Sequence, residues 1–187
     1  MDAKQFLDFL GRAGNLKWVP RHCVTRDGRR ESVAEHCWRL ALTALLLEEE
    51  FPDLDMNRVV ALCLVHDLGE AVTGDIPTFQ KTREDEAVEQ RAVETLLEGL
   101  EPAPRARVRE LFRELDAGQT PEARLLRALD KLEAVVSHNE SPLSTWEPLE
   151  YDLNVSHGLA EAAGFSAVAA LREQARQDSL DKIRRGE

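Results

Sequence analysis

The chain has 187 residues, of which 43% are hydrophobic and 32% charged, with only 10 glycines and 8 prolines. That balance excludes a disordered or fibrous polymer and fits one globular domain of ordinary size. Its 24 basic residues face 35 acidic ones for a formal net charge of −11, which disfavours phosphate-backbone partners and anionic membrane surfaces, so neither a nucleic-acid polymer nor a membrane is expected as partner.

Taken in chain order, Phe6, Leu7 and Leu10 predict a short amphipathic helix over about residues 3–11, ended by Gly11 and Gly14. Residues 15–30 hold Pro20, Asp27-Gly28 and several arginines without a sustained period, and read as an irregular segment. Ser32-Val33-Ala34-Glu35 is a capping box that starts a helix running to about residue 50. Val33, His36, Leu40, Ala44 and Leu47 share its inward face. The longest apolar run, residues 40–47, is broken by Thr43 and is far shorter than the ~20 residues that span a bilayer.

Asp55 caps the next helix, expected to end near Gly74, with Val59, Leu62, His66 and Glu70 in one row and Asp67 one step round. Two amphipathic helices over about 82–100 and 105–117 are separated by Pro102 and Pro104 and turn charged faces to solvent. Thr120-Pro121-Glu122 opens a helix to about residue 138 that aligns Ala123, Leu126, Asp130 and Ala134. Two more are expected near 148–162 and 166–184. With no internal repeat and no alternating strand pattern, the expected fold is all-α. It is one domain over 1–187, with a motif-bearing core over about 31–140 and C-terminal helices over about 146–184. Cys23, Cys37 and Cys63 are odd in number and follow an acidic N-terminus rather than an apolar leader, so a reducing, cytoplasmic setting is expected.

Three predicted helices thus present inward nitrogen or oxygen donors: His36, the adjacent pair His66-Asp67, and Asp130. Such groups are costly in an apolar interior unless a cation compensates them. Together they read as the ligands of one divalent ion, and two imidazoles with two carboxylates are compatible with Mn, Co, Fe, Ni, Cu or Zn. An ion held this way has positions left for water and substrate, which points to hydrolysis. Glu70, one helical turn beyond His66, is placed to act as general base. The basic residues nearest the motif in sequence are Arg21, Arg26, Arg29, Arg30 and Lys81. Among them Arg21, with Lys81, is the candidate to bind a phosphoryl group.

The motifs Glu31-Ser32-Val33-Ala34-Glu35-His36, His66-Asp67-Leu68-Gly69-Glu70, Thr73-Gly74-Asp75-Ile76-Pro77, Glu122-Ala123-Arg124 and Asp130-Lys131-Leu132-Glu133 stand together in this chain. In that combination the sequence resembles the HD-domain phosphohydrolases, and within them the 5′-deoxynucleotidase branch. The resemblance implies a helical HD fold, a ligand order of His36, His66-Asp67 and Asp130, a small nucleoside monophosphate as substrate, and a homodimer. It also places Asp75 at the active site, to protonate the departing sugar oxygen or to hold the sugar. Dinuclear members carry extra histidines between the His-Asp pair and the last aspartate, and here that interval has none, so a single ion is expected. His138 and His157 are read as surface residues or supports of the site. The chain departs from the branch at one loop. The branch follows its substrate-binding arginine with a tryptophan, whereas here Trp18 precedes Pro20-Arg21 and His22-Cys23-Val24 follows. The alternatives are hydrolysis of another small phosphomonoester, or a nucleotide-binding module without turnover.

Overall fold

A computed structural model describes residues 2–77 and 79–186. Helix α1 (Ala3–Ala13) starts at Asp2, whose side chain accepts from the amides of Lys4 and Gln5. It runs through Gly11 and tightens into a 3₁₀ turn over Gly14–Lys17. The segment expected to be irregular is instead an antiparallel hairpin, β1 (Pro20–Val24) and β2 (Arg30–Ser32). Pro20 takes the first strand position, where its missing N–H does least harm, and Gly28 closes the turn at φ 85°. No apolar alternation announces these strands, because Arg21 and Glu31 turn inward and pair with each other at 2.8 Å.

Helix α2 (Val33–Leu46) begins with the expected capping box, Ser32 accepting from the Glu35 amide. It stops short of residue 50, where Glu48–Glu50 form a 3₁₀ turn; three carboxylates at a helix C-terminus oppose its dipole. Asp55 caps α3 (Met56–Val65). The helix expected to reach Gly74 breaks after Val65. Turns with Leu68 N→Val65 O at 2.9 Å and Glu70 N→Asp67 O at 3.0 Å follow, then the single turn α4 (Glu70–Thr73), ended by Gly74 at φ 80°. Gly69, in ordinary helical backbone, lets Glu89 of the following helix approach closely. A β-carbon there would lie 3.0 Å from the Glu89 carbonyl and 2.5 Å from Glu89 Cγ. Gly69→Ala should therefore cost about 1–3 kcal/mol, read as a lower melting temperature. A melting curve equal to that of the unsubstituted protein would show that the approach is not tight.

Thr82 and Asp85 form a second capping box for α5 (Arg83–Leu97). Pro102 and Pro104 lie inside the first turn of α6 (Pro102–Ala117) rather than before it, since a first-turn proline sacrifices no hydrogen bond. Helix α7 (Pro121–Glu140) has Thr120 as its cap. The helix expected over 148–162 is two, α8 (Pro148–Ser156) and α9 (Leu159–Ala162), divided at Gly158. A β-carbon on Gly158 would stand 2.7 Å from Lys131 Cβ, and its φ is 76°. The last helix is α10 (Ser166–Arg185).

Leu40 and Ala44 of α2, Val59 and Leu62 of α3, Leu125 and Leu129 of α7 and Val168 of α10 form one buried core. Helix α7 packs on α2 and α3 and, elsewhere along its length, on α10. Every metal-ligand candidate is carried by α2, α7 or the turn that follows α3. Arg172 of α10 is wholly buried and donates to the carbonyls of His157 and Asn154 at 2.7 and 2.9 Å, tying α10 to the C-terminal end of α8. Among the described residues no helix is long and apolar enough to cross a membrane, and all three cysteines are unpaired.

Candidate metal centre

His36 sits in the first turn of α2, His66 and Asp67 in the turn after α3, and Asp130 midway along α7. The three elements bring His36, His66 and Asp67 within 4.8 Å of one another, with Asp130 beside the two imidazoles. His36 Nε2 is 3.3 Å from His66 Nε2, 3.1 Å from Asp130 Oδ1 and 3.7 Å from Asp67 Oδ2. His66 Nε2 is 3.0 Å from Asp67 Oδ2 and 3.9 Å from Asp130 Oδ1. Donors about 2.1 Å from one central ion stand roughly 3.0–3.4 Å apart along polyhedron edges, so this spacing fits a divalent cation.

The hydrogen bonds behind the ligands make the same case. His66 Nδ1 donates to the Cys63 carbonyl at 2.9 Å, and His36 Nδ1 donates to Glu133 Oε2. Each neutral imidazole therefore keeps its proton on Nδ1 and turns the lone pair of Nε2 inward. Two lone pairs facing each other at 3.3 Å require a positive charge between them. Burial presses both imidazoles toward the neutral form, with Arg21 adding to it at His36. Even so, Asp130 and Glu133 hold the His36 pKa above its ordinary value, and Asp67 holds that of His66 above it. Asp130 is depressed in turn, despite burial, chiefly by His36. The donor set gathers positive charge, whether as protons or as a metal ion.

Glu133, quoted in the sequence motif but given no role there, is the residue behind His36. It is nearly fully buried, and its Oε1 accepts from Arg39 Nε at 2.7 Å and Ser137 Oγ at 2.9 Å. Burial would raise its carboxyl, but His36, Arg21 and Arg39 hold it at about 2. Its signal lay in the spacing, one turn on from Asp130 along the same helix face. Arg21 belongs to this network. Its Nη1 donates to Glu31 Oε2 at 2.8 Å and Glu133 Oε2 at 3.2 Å, so it is a buried arginine with one nitrogen committed to these two carboxylates. Of the neighbouring arginines, Arg29 pairs with Glu35.

Glu70 is buried beside Asp67, and its Oε2 has no hydrogen-bond partner among the described residues. Burial, then Asp67, Asp75 and Glu89, push its carboxyl up to about 9 against the pull of Lys81. Burial also raises Asp75. Lys81 Nζ is 2.5 Å from Glu89 Oε2 and 3.8 Å from Glu70 Oε1. A cleft of about 430 Å³ runs over His66, Asp67 and Asp130 with Lys81 at its edge. A smaller cavity of about 160 Å³ lies beyond Arg21 and Asp75. His138 and His157 line that cavity, with His22, instead of standing on the surface.

The sequence pattern of the HD domain family matches residues 13–172. The chain belongs to the HD domain family. This HD domain is similar to the 5′-deoxynucleotidase HDDC2 of Homo sapiens, 33% identical over 157 residues that cover 80% of this chain and 72% of that protein. It is 30% identical to the 5′-deoxynucleotidase hdd1 of Schizosaccharomyces pombe, covering 70% of this chain and 67% of that protein. Among solved structures, it superposes on a predicted metal-dependent phosphohydrolase from Magnetospirillum magnetotacticum MS-1 with a TM-score of 0.80. The two are 27% identical, and the match covers 96% of this chain and 93% of that one. The helical HD fold expected from the motifs is the fold observed.

Proposed function

We propose that this protein is a divalent-metal-dependent 5′-deoxynucleotidase that converts deoxyribonucleoside 5′-monophosphates to deoxyribonucleosides and phosphate, with His36, His66, Asp67 and Asp130 as the ligands of one ion. The observation that carries this reading is that His36 Nε2 and His66 Nε2 lie 3.0–3.9 Å from each other and from the carboxylates of Asp67 and Asp130, in a chain that covers two thirds or more of the 5′-deoxynucleotidase relatives it resembles. When bound, the ion supplies an acidified water and polarises a phosphoryl oxygen. A donor set of two imidazoles and two carboxylates suits Mn, Co, Fe, Ni, Cu or Zn.

The chain's own groups do the rest. Glu70, buried beside Asp67 with an unclaimed oxygen, orients the attacking water and, in the carboxylate form that a bound cation favours, takes its proton. Asp75, raised by burial and facing the smaller cavity, holds the sugar or returns a proton to the departing 5′ oxygen. Lys81 at the cleft edge offers a cation to the phosphoryl group. Arg21 adds to it with the N–H groups left once Nη1 is committed to Glu31 and Glu133.

Helices α8 and α10 pack together and α10 packs on α7, which supports one domain over the whole chain. Trp38, Leu45 and Leu64 are exposed along one groove of α2 and α3, a surface suited to a homodimer, and sedimentation tests it. Three unpaired cysteines suit a cytoplasmic, reducing setting.

Phosphate release from deoxyribo- and ribonucleoside monophosphates and sugar phosphates, with added Mn or Co, tests the activity. Deoxynucleotides should be preferred, and chelation should abolish turnover until metal is restored. Preference for a sugar phosphate would overturn the nucleotide assignment.

A further inference from the structure

The hairpin, α7 and α8 bring together a second group of reactive side chains, none of them a metal donor. Cys23 of β1 places Sγ 3.1 Å from His138 Nδ1 on α7. His138 Nε2 stands 2.8 Å from Glu150 Oε1 on α8, and Nδ1 also lies 3.1 Å from the Ala134 carbonyl. Thiol, imidazole and carboxylate follow one another in the order that generates a nucleophilic thiolate: the ring takes the thiol proton, and the carboxylate steadies the cation that results. Both ring nitrogens face acceptors, as the two N–H groups of an imidazolium require. Burial would lower the His138 pKa, but hydrogen bonds to Cys23 and Glu150 raise it to about 10.

The group is not sealed in the core. Cys23, His138 and Glu150 line the cavity of about 160 Å³ that also touches Asp75 and Arg21, room for roughly five waters. His22 lines it too, 3.2 Å from Glu150 Oε1, but its Nε2 forms no hydrogen bond of acceptable geometry among the described residues. Cys37 and Cys63 pack into apolar clusters with His66 near both, and burial pushes both thiols up against the pull of that ring, that of Cys63 to about 12.

We propose that Cys23 is a covalent modification site for small peroxides, activated by His138 and Glu150 and reached through the cavity beside Asp75. The thiol proton passes to His138 Nδ1, and Sγ attacks one peroxide oxygen. An S–O bond forms as the O–O bond breaks, so sulfur loses two electrons and the peroxide gains them. The departing hydroxide takes the proton from His138 and leaves as water, with Cys23 as a sulfenic acid. On the nucleotidase reading above, the added oxygen intrudes on the cavity next to Asp75 and lowers nucleotide turnover.

The metal-loaded 187-residue protein, treated with hydrogen peroxide in the presence of dimedone and digested for mass spectrometry, tests the proposal. Cys23 should trap the reagent roughly tenfold or more faster than Cys37 or Cys63. His138→Gln and Glu150→Gln should each slow the Cys23 adduct severalfold while Cys37 and Cys63 stay unlabelled, which also reports an intact fold. If His138→Gln exposes the other cysteines, Glu150→Gln decides. Equal labelling of the three thiols, no adduct at Cys23, or a rate indifferent to the substitutions would overturn the assignment. Adducts are counted by mass, so the result stands apart from whether any nucleotide is hydrolysed.

Discussion

Asp130→Ala should strip the metal from the protein and with it the phosphohydrolase activity. Asp130 is the α7 donor of the set, 3.1 Å from His36 Nε2 and 3.9 Å from His66 Nε2, and no other carboxylate of α7 reaches the inward nitrogen of either ring. Removing it leaves two imidazoles and Asp67, with one negative charge fewer to offset a divalent cation. Loss of the ion forfeits several kcal/mol of transition-state stabilisation, at least about a thousandfold in rate. Metal content after dialysis and phosphate release should fall together. Helix content should be retained, because Asp130 holds no place in the apolar core. A dialysed variant that keeps one equivalent of ion would remove Asp130 from the ligand set.

A milder loss is expected one helical turn further on. Glu133 fixes which nitrogen of His36 carries the proton, and carboxylates in this position typically contribute about 10–100-fold in metal affinity or activity. Glu133→Gln keeps the volume and one acceptor but also presents an N–H₂ that competes for His36 Nδ1 and repels Arg21. Its metal dissociation constant should rise by about that factor, measured by competition with a chromogenic chelator. An unchanged constant would show that His36 needs no partner to be oriented.

What was legible in the sequence divides along the range of the forces involved. Ser32, Asp55 and Thr120 cap helices by bonding to the amide three residues away, so His36 and Asp130 could be placed on helix faces from local chemistry alone. The break after Val65 could not. Its neighbourhood includes the close packing of Gly69 on Glu89 of α5, a tertiary approach that leaves no periodic trace. The hairpin was hidden because its inward residues are the charged pair Arg21 and Glu31, whose burial is tolerable only through each other and Glu133. His138 continues the row Asp130–Ala134 by another four residues, so its inward direction was available from spacing. Its partners Cys23 and Glu150, on separate elements, were not.

Glu70→Gln should cost about 10²–10⁴ in kcat while metal content stays at the level of the unsubstituted protein, since the four ligands are untouched. The same substitution should make the chelated protein more stable at alkaline pH. Burial and the charges of Asp67, Asp75 and Glu89 raise the Glu70 carboxyl from 4.5 to about 9. Below pH 4.5 the folded and unfolded chains both hold this proton. Between there and about 9 the unfolded chain releases it while the folded chain retains it, so the unfolded state binds fewer protons and stability falls as pH rises. Glutamine carries no such charge and removes that slope. Melting curves of the chelated proteins at pH 5 and pH 8 should therefore diverge, with Glu70→Gln gaining most at the higher pH. Opposite changes in turnover and stability would separate a catalytic carboxylate from a structural one, because a structural glutamate loses both when replaced. Turnover retained in Glu70→Gln would instead require the water to be oriented by another group of the cleft.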